Sequence, residues 1–442
     1  MNGEAGVVTI AIGKSASNSL KPKEIIFSTW LRGRLLEAAS SQSYRSAARN
    51  FNADTFRSDA DDGAISHTTL QYLVEHEGND IHNSFVAESA RVLAASGCDV
   101  STGAPVRSED ARGAASVRAK TQEDKPVEVS GEVLKVVEKL NVNKDGSPKQ
   151  DAFKVKDPSL ILDAQRSASM KDDLVYIAHD GVLTHKQREE RCERGRHSPR
   201  EGRKWVETTS TAIVYGGEAC RFPARSQSEA GMLTSAVIHA NGLQDKRLEF
   251  FSDGAKCIRQ NVDAVWGDRV AGYYLDCLHL KKKIDERISS GCKGSLDDKK
   301  AMRSKLFSII FAGNVDDFIQ EVRNIPKKIV KNQASLDNLV QYVESRRDII
   351  PCYALRKALG LKISSNESEL SNRVLVTQRC KNAAMSWSND GCLGLAAVTA
   401  SIRNGTLYQI LRNKTTRLDF FKKESDQLST TSALDCTHGV AV

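Results

Sequence analysis

LEFFSDGAKCIRQNVDAVWGDRVAGYYLDCLHL, residues Leu248 to Leu280, is the stretch whose reading decides the fold. It reads as two short buried strands joined by a polar turn and a helix. The first strand, Leu248 to Phe251, delivers Asp253 at its carboxyl end. Gly254 then lets the chain turn tightly, because it has no Cβ to clash. The second strand, Val270 to Leu275, delivers Asp276, and His279 follows one turn later. Carboxylates at the ends of neighbouring apolar strands lie where α/β proteins place their ligand crevice. Asp180 and Glu369 occupy comparable settings elsewhere in the chain. The expectation is that Asp180, Asp253 and Glu369 converge on divalent metal.

Working outward on the amino-terminal side, LVYIAHDG is an apolar strand, Leu174 to Ala178, running into Asp180 and Gly181. TSTAIVYGG resumes as a strand from Thr211 to Tyr215. Between them lies HKQREERCERGRHSPREGRKW, in which residues 186–204 hold eight Lys or Arg against four Asp or Glu. This reads as a basic, mobile loop interrupting the sheet, and Lys186, Arg188, Arg203 and Lys204 are its candidate DNA contacts. On the other side, residues 281–361 turn wholly helical, with no strand-like alternation. After them SSNESELSNRVLVTQRCKNAAMSWS reads as a helix capped by Ser365 or Asn366, with Glu367 and Glu369 in its first turn. Glu369 can pair with Arg373 at i,i+4, and Glu367 is the alternative ligand on a different face.

Further out, residues 1–22 are small and polar and are expected to be disordered. Residues 23–82 contain three amphipathic segments, the second capped by Ser43 and the third by Ser66 and ended by Gly78. They fit a helix-turn-helix-like DNA-binding region, with Arg45 and Arg49 as contacts, or a plain helical bundle. Residues 83–171 read as a linker with helical pieces, including Gly131 to Leu140. The core is assigned to 172–280 and 362–413, with a polar tail over 414–442.

Composition sets outer bounds. The 442 residues are 40% hydrophobic and 27% charged, ordinary for a globular protein, and the net charge of +8 favours a polyanionic partner. Ten cysteines include no CxxC pair and no zinc-finger spacing, so reduced thiols in a cytosol are expected. No signal-peptide pattern is seen, and no apolar run approaches the ~20 residues of a spanning helix. A soluble cytoplasmic protein follows as the expectation.

Strand–Asp, strand–Asp, helix–Glu is the order that can hold two Mg²⁺ or Mn²⁺ ions on hard oxygen ligands. The segments SDGAKCIR and YYLDCLHLKKKI resemble the second-aspartate and DxxH segments of bacterial insertion-sequence DDE transposases of the Mutator-like group. IAHDGVLTHKQ with GRKWVETTSTAIVYG resembles their first-aspartate strand, loop and next strand. ESELSNRVLVTQRCKNAAMSWS is similar to the helix carrying their Glu, with their Asn/Arg spacing, and an all-helical insertion precedes that helix in the group. The resemblance covers residues 172–413.

It implies an α/β fold: an RNase H-like mixed sheet with an all-α insertion and an N-terminal helical region. It implies Asp180, Asp253 and Glu369 as the catalytic, metal-binding triad, with two Mg²⁺ or Mn²⁺ ions. Asp276 and His279 would support the site, the imidazole donating a ring N–H to the Asp276 carboxylate. The implied function is metal-dependent DNA cleavage and strand transfer at mobile-element ends. The implied partners are double-stranded DNA, both terminal repeats and target, and further copies of the chain, in a bacterial, nucleoid-associated setting. Cys257, Cys277 and Leu278 depart from residues that are more aromatic in the group. An RNase H-like nuclease without strand transfer and a non-catalytic DNA-binding regulator are the competing readings.

Overall fold

A computed structural model of the protein describes residues 28–55, 65–106, 128–187, 205–267, 270–381 and 385–422. The expected disordered segment 1–22 lies outside them, as do Arg188, Arg203 and Lys204. Three helices open the described chain: α1 (Thr29–Ser41), α2 (Tyr44–Thr55) and α3 (His67–Ala95). Ser66 caps α3 by accepting the Thr69 N–H at 3.0 Å. Then come α4 (Gly131–Leu140) and α5 (Pro158–Ser169), the latter started by Asp157 as cap and Pro158 in the first turn.

The sheet and its helices follow: β1 (Leu174–His185), β2 (Trp205–Tyr215), β3 (Glu218–Ala224), α6 (Gln227–Ala240), β4 (Arg247–Ser252), α7 (Lys256–Trp266) and β5 (Val270–Leu275). The strands lie in the order β3-β2-β1-β4-β5. β1, β2 and β3 pair antiparallel, while β4 is parallel to both β1 and β5. Gly216 and Gly217 both have positive φ, 58° and 85°, which closes the β2–β3 hairpin with a turn that suits the strand twist. The fold is α/β, an RNase H-like mixed sheet.

Period-two alternation assigns the faces. Val175 and Ile177 join Leu248 and Phe250 under α6 and α7. Tyr176, Ala178 and Asp180 therefore face the other side. β1 is longer than the apolar run suggested. Its pairing with β4 stops at Ala178↔Phe251, but its pairing with β2 continues to His185↔Trp205. Val182 and Val206 keep that extension buried against the helical layer.

From α8 (Cys277–Gly291) the chain is helical through α9 (Leu296–Phe311), α10 (Val315–Arg323), α11 (Gln333–Glu344) and α12 (Tyr353–Ala358). These helices enclose their own core, including Leu280, Ile284, Phe318, Leu339 and Tyr353. An isolated bridge, Cys292 with Val330, is the only extended pairing here among the described residues, and it does not join the sheet. Tyr353 ties the insertion to β5 through a hydroxyl bond to the Leu275 carbonyl, 2.8 Å. Last come α13 (Asn366–Ser371), a π-helical stretch (Asn372–Thr377), α14 (Gln378–Cys380), α15 (Asn389–Arg403) and α16 (Leu407–Asn413).

Three boundaries read from the sequence are corrected. Gly78 does not end a helix, since α3 runs on to Ala95 and the boundary at 82/83 falls inside it. A Cβ at Gly78 would lie 2.2 Å from the Gly394 carbonyl oxygen of α15, so the glycine permits a close helix crossing. The buried stripe of α3 thus packs into the same core as α1, α2 and α15, as a long core helix and not a short terminal one. Residues 131–170 are not a linker. Val133, Val137 and Ile161 pack with Cys352 and Leu355 of the insertion side, and Asn314 donates to the Ala152 and Lys154 carbonyls. The start of the tail is docked: Leu418 is buried, and its carbonyl accepts from Asn241 Nδ2 at 2.7 Å. Residues 423–442 lie outside the described chain.

Candidate catalytic carboxylates

Asp180 enters the site because β1 outruns β4. It sits two residues past the last β4-paired position, opposite Ser210 of β2. It is therefore within a strand, not at its end as the apolar run had suggested. Asp253 does follow its strand directly. One of its oxygens, Oδ1, accepts the Ala255 N–H at 2.8 Å, which folds the turn into α7. Oδ2 has no hydrogen-bond partner among the described residues. Gly254, at φ 77°, holds the turn in a conformation that disfavours side chains.

The two aspartates are electrostatic neighbours. Burial, the largest cause, raises the Asp180 carboxyl above its ordinary value. The His279 imidazole opposes this, and the Asp253 carboxylate adds to it by like-charge repulsion. Asn372 donates its side-chain N–H to Asp180 Oδ2. That residue opens the π-helical stretch, a local widening of the helix that recurs at functional sites. Asn372, three residues after Glu369, is part of the Asn/Arg spacing noted in the quoted helix segment, but the sequence alone assigned it no role in the site.

Glu369 is exposed, and its side chain makes no hydrogen bond or ion pair among the described residues. Nothing is described of the Glu367 side chain. No group of three or more His, Cys, Asp or Glu side chains among the described residues is gathered to hold a metal ion. Two of the three expected ligands, Asp180 and Asp253, are thus brought together, and the third is not gathered with them. Does the pair suit a divalent cation? Adjacent carboxylates raise each other's cost of ionisation, which a cation relieves. The Asp253 Oδ2 atom is without a hydrogen-bond partner among the described residues, where only Oδ1 accepts, and Asn372 Oδ1 is buried without one there. These are hard oxygen donors of the kind Mg²⁺ and Mn²⁺ take. The residues fit.

Asp276 is buried and does supporting work of a different kind from that expected. Its Oδ1 accepts the Leu278 and His279 backbone N–H groups at 2.6 and 3.1 Å, capping α8. Its Oδ2 accepts from the Ser365 backbone N–H and hydroxyl, tying α8 to the entry of α13. The expected ring bond from His279 is absent from this arrangement. His279 reaches Asp276 through its backbone, and its imidazole acts on Asp180 instead.

Of the expected DNA contacts, Arg45 and Arg49 lie exposed on α2, and Lys186 is half-buried where β1 meets Trp387. No helix among the described residues is long and apolar enough to cross a membrane.

The sequence matches no protein-family model and no curated protein. One solved structure, the Drosophila P element transposase strand transfer complex, aligns at 10% identity over 74% of this chain and 84% of that one. The TM-score is 0.19. At that value the alignment supports no conclusion about this chain.

Proposed function

We propose that the chain is a metal-dependent enzyme acting on DNA phosphodiesters, a DDE-type transposase that cleaves and joins strands at mobile-element ends. The observation that carries this reading is the proximity of Asp180, in β1, and Asp253, at the end of the neighbouring β4, in the middle of an RNase H-like sheet. Their carboxyl groups are close enough to repel, yet neither forms an ion pair with a Lys or Arg among the described residues. Mg²⁺ or Mn²⁺, two ions in this reading, would supply the positive charge that stabilises the crowded phosphate and the leaving oxygen. Asp180 and Asp253 would hold the ions, Asn372 fixes the rotamer of Asp180, and the nearby His279 imidazole favours the ionised form of Asp180. Glu369 is the proposed third ligand, with Glu367 as its substitute. The net positive charge suits double-stranded DNA, with Arg45, Arg49 and the basic segment 186–204 as its proposed contacts, and a homo-oligomer would pair two element ends.

A non-catalytic DNA-binding role is favoured by one observation, the exposed position of Glu369. Cleavage of a duplex bearing element-end DNA in Mn²⁺, with wild type against Asp253→Asn, separates the readings. The expected outcome is cleavage by the wild type, its loss in the variant and in chelator, and strand transfer when paired ends are supplied. Binding without any Mn²⁺-dependent cleavage supports the regulator, and hydrolysis without transfer supports a nuclease. Mn²⁺ is also expected to raise the melting temperature of the wild type and not of Asp253→Asn, because a ligand that binds only the folded state stabilises it.

A further inference from the structure

Arg346, in the turn after α11, lies directly against the Asp253–Gly254 turn. A Cβ built on Gly254 would meet its Nε at 2.6 Å and its Cδ at 2.9 Å, so only glycine admits the arginine there. Three contacts clamp this corner of the insertion in place. The guanidinium lies 4.1 Å from the centroid of the Tyr342 ring. The Tyr342 hydroxyl donates to the Asp253 carbonyl at 3.4 Å. Asp348, two residues on, pairs with Arg259 of α7 at 2.5 Å.

What sets Arg346 apart from its neighbours is that it makes no ion pair among the described residues. Its Nη1 donates to the Tyr342 carbonyl at 3.4 Å and to Ser345 Oγ at 3.0 Å, both neutral acceptors. Nε is buried without a partner, and Nη2 has none among the described residues. No carboxylate among the described residues forms an ion pair with it, although Asp253 precedes the glycine it touches. Its neighbours are paired: Arg347 with Asp316 at 2.7 Å and Glu344 at 3.0 Å, and Lys283 with Glu286 at 3.5 Å. A planar fork of donors, positioned by stacking near Asp253 and making no ion pair among the described residues, matches a phosphate oxygen.

We propose that Arg346 is a substrate-binding residue, supplied by the helical insertion, that contacts a DNA phosphate next to the Asp180–Asp253 pair. The proposal rests on the DNA reading above and deepens it, since the insertion then contributes a side chain to the site.

The test is equilibrium binding of the full chain to a short DNA duplex across a KCl series, with EDTA present so that no cleavage intervenes. Each phosphate neutralised contributes close to one unit to the slope of log affinity against log salt. Arg346→Ala is expected to lower that slope by about 1 and to weaken binding about tenfold at low salt. Arg346→Lys keeps the charge and should keep the slope, and Arg347→Ala should leave both quantities at wild-type values. A merely structural role would change the fraction of active protein and not the slope. If Arg346→Ala does not fold, by circular dichroism, Arg346→Gln is read in its place. A wild-type slope in a folded Arg346→Ala or Arg346→Gln overturns the proposal and leaves the DNA reading standing. Absence of any DNA binding by the wild type overturns both.

Discussion

Two clusters of acidic residues sit on the same side of the sheet, only a few residues apart along β1 and β4, and they are treated in opposite ways. In one, Glu249 of β4 is wholly buried with Arg356 of α12, Nη2 to Oε2 at 2.6 Å. Ser167 donates to its other oxygen at 2.5 Å, and Arg356 Nε donates to the Lys362 carbonyl at 3.0 Å. Asp163 accepts from Tyr274 at 2.9 Å and lies 3.9 Å from Arg356. The arginine also stacks 4.1 Å from the Tyr274 ring centroid. In the other, Asp180 and Asp253 meet with an amide and an imidazole for company and form no ion pair with a guanidinium or ammonium among the described residues, Arg346 lying against the Gly254 turn without pairing to either. The first cluster is closed: Arg356 and Arg247, the latter 3.9 Å from Glu249 and 4.0 Å from Asp163, stand against the two carboxylates, and the cluster joins α5, the sheet and the insertion. The second is open, with negative charge left over. A buried acid alone therefore says little about chemistry here; what distinguishes the site is the missing counterion.

The contrast can be broken by mutation. The largest effect is expected from Arg356→Ala, which leaves the buried Glu249 with only Ser167 and, 3.9 Å away, Arg247. A loss of about 3–5 kcal/mol of stability is expected, measured by urea unfolding. Replacing both partners, Arg356→Met with Glu249→Leu, should recover most of that loss. A cost below about 1 kcal/mol for Arg356→Ala would show that the closed cluster is not holding the insertion to the sheet.

A second effect comes from the opposite face of β1. His179 is buried against Thr234, Nε2 to Oγ1 at 3.0 Å, and burial pushes its imidazole down to about 4 from the usual 6.5. The unfolded chain takes up a proton below pH 6.5, while the folded chain resists until about pH 4. Stability is therefore lost as pH falls through that window, by on the order of 3 kcal/mol in total. Urea midpoints at pH 7 and pH 4.5 check it, and His179→Gln should flatten the dependence.

The smallest effect sharpens the comparison most. In metal-free protein Asp180→Asn removes half of an uncompensated pair, so stability should be unchanged or rise by up to about 1 kcal/mol. The matching change in the closed cluster, Glu249→Gln, should lower it. Thermal melts in chelator compare the two, and a destabilised Asp180→Asn would place Asp180 with the structural charges.

What could be read beforehand follows the range of the forces involved. Asp253 was legible because an apolar run and a glycine mark a strand end within six residues. The position of Asp180 was only partly so. Gly181 interrupts the alternation, and Val182 and Thr184 resume it against a helical layer from distant parts of the chain. Helical periodicity with few β-branched alternations was enough to mark residues 281–361 as helical. Glu249 did carry a signal, a lone charge in an apolar strand, that asks for a buried partner. Its partner Arg356 lies 107 positions away and could not be named. The same distance effect misassigned Gly78, which looks like a helix stop locally and is a crossing point globally. Asn372 and Arg346 become visible only when separate segments are brought together.

That crossing also bears on how the chain is made. The stripe of α3 that Gly78 interrupts finds its partner, α15, only after residue 394 has left the ribosome. Until then Leu70, Val74 and Ile81 have no surface of α15 to cover them, and the sheet edge at Val182 and Val206 waits for the same helix. Early helices bound to a late one give a high contact order, which slows folding and prolongs exposure of apolar surface. A nascent chain halted before Asn389 would lack the α15 side of that core, so its first helices finish packing only after a helix more than 300 residues downstream has been made.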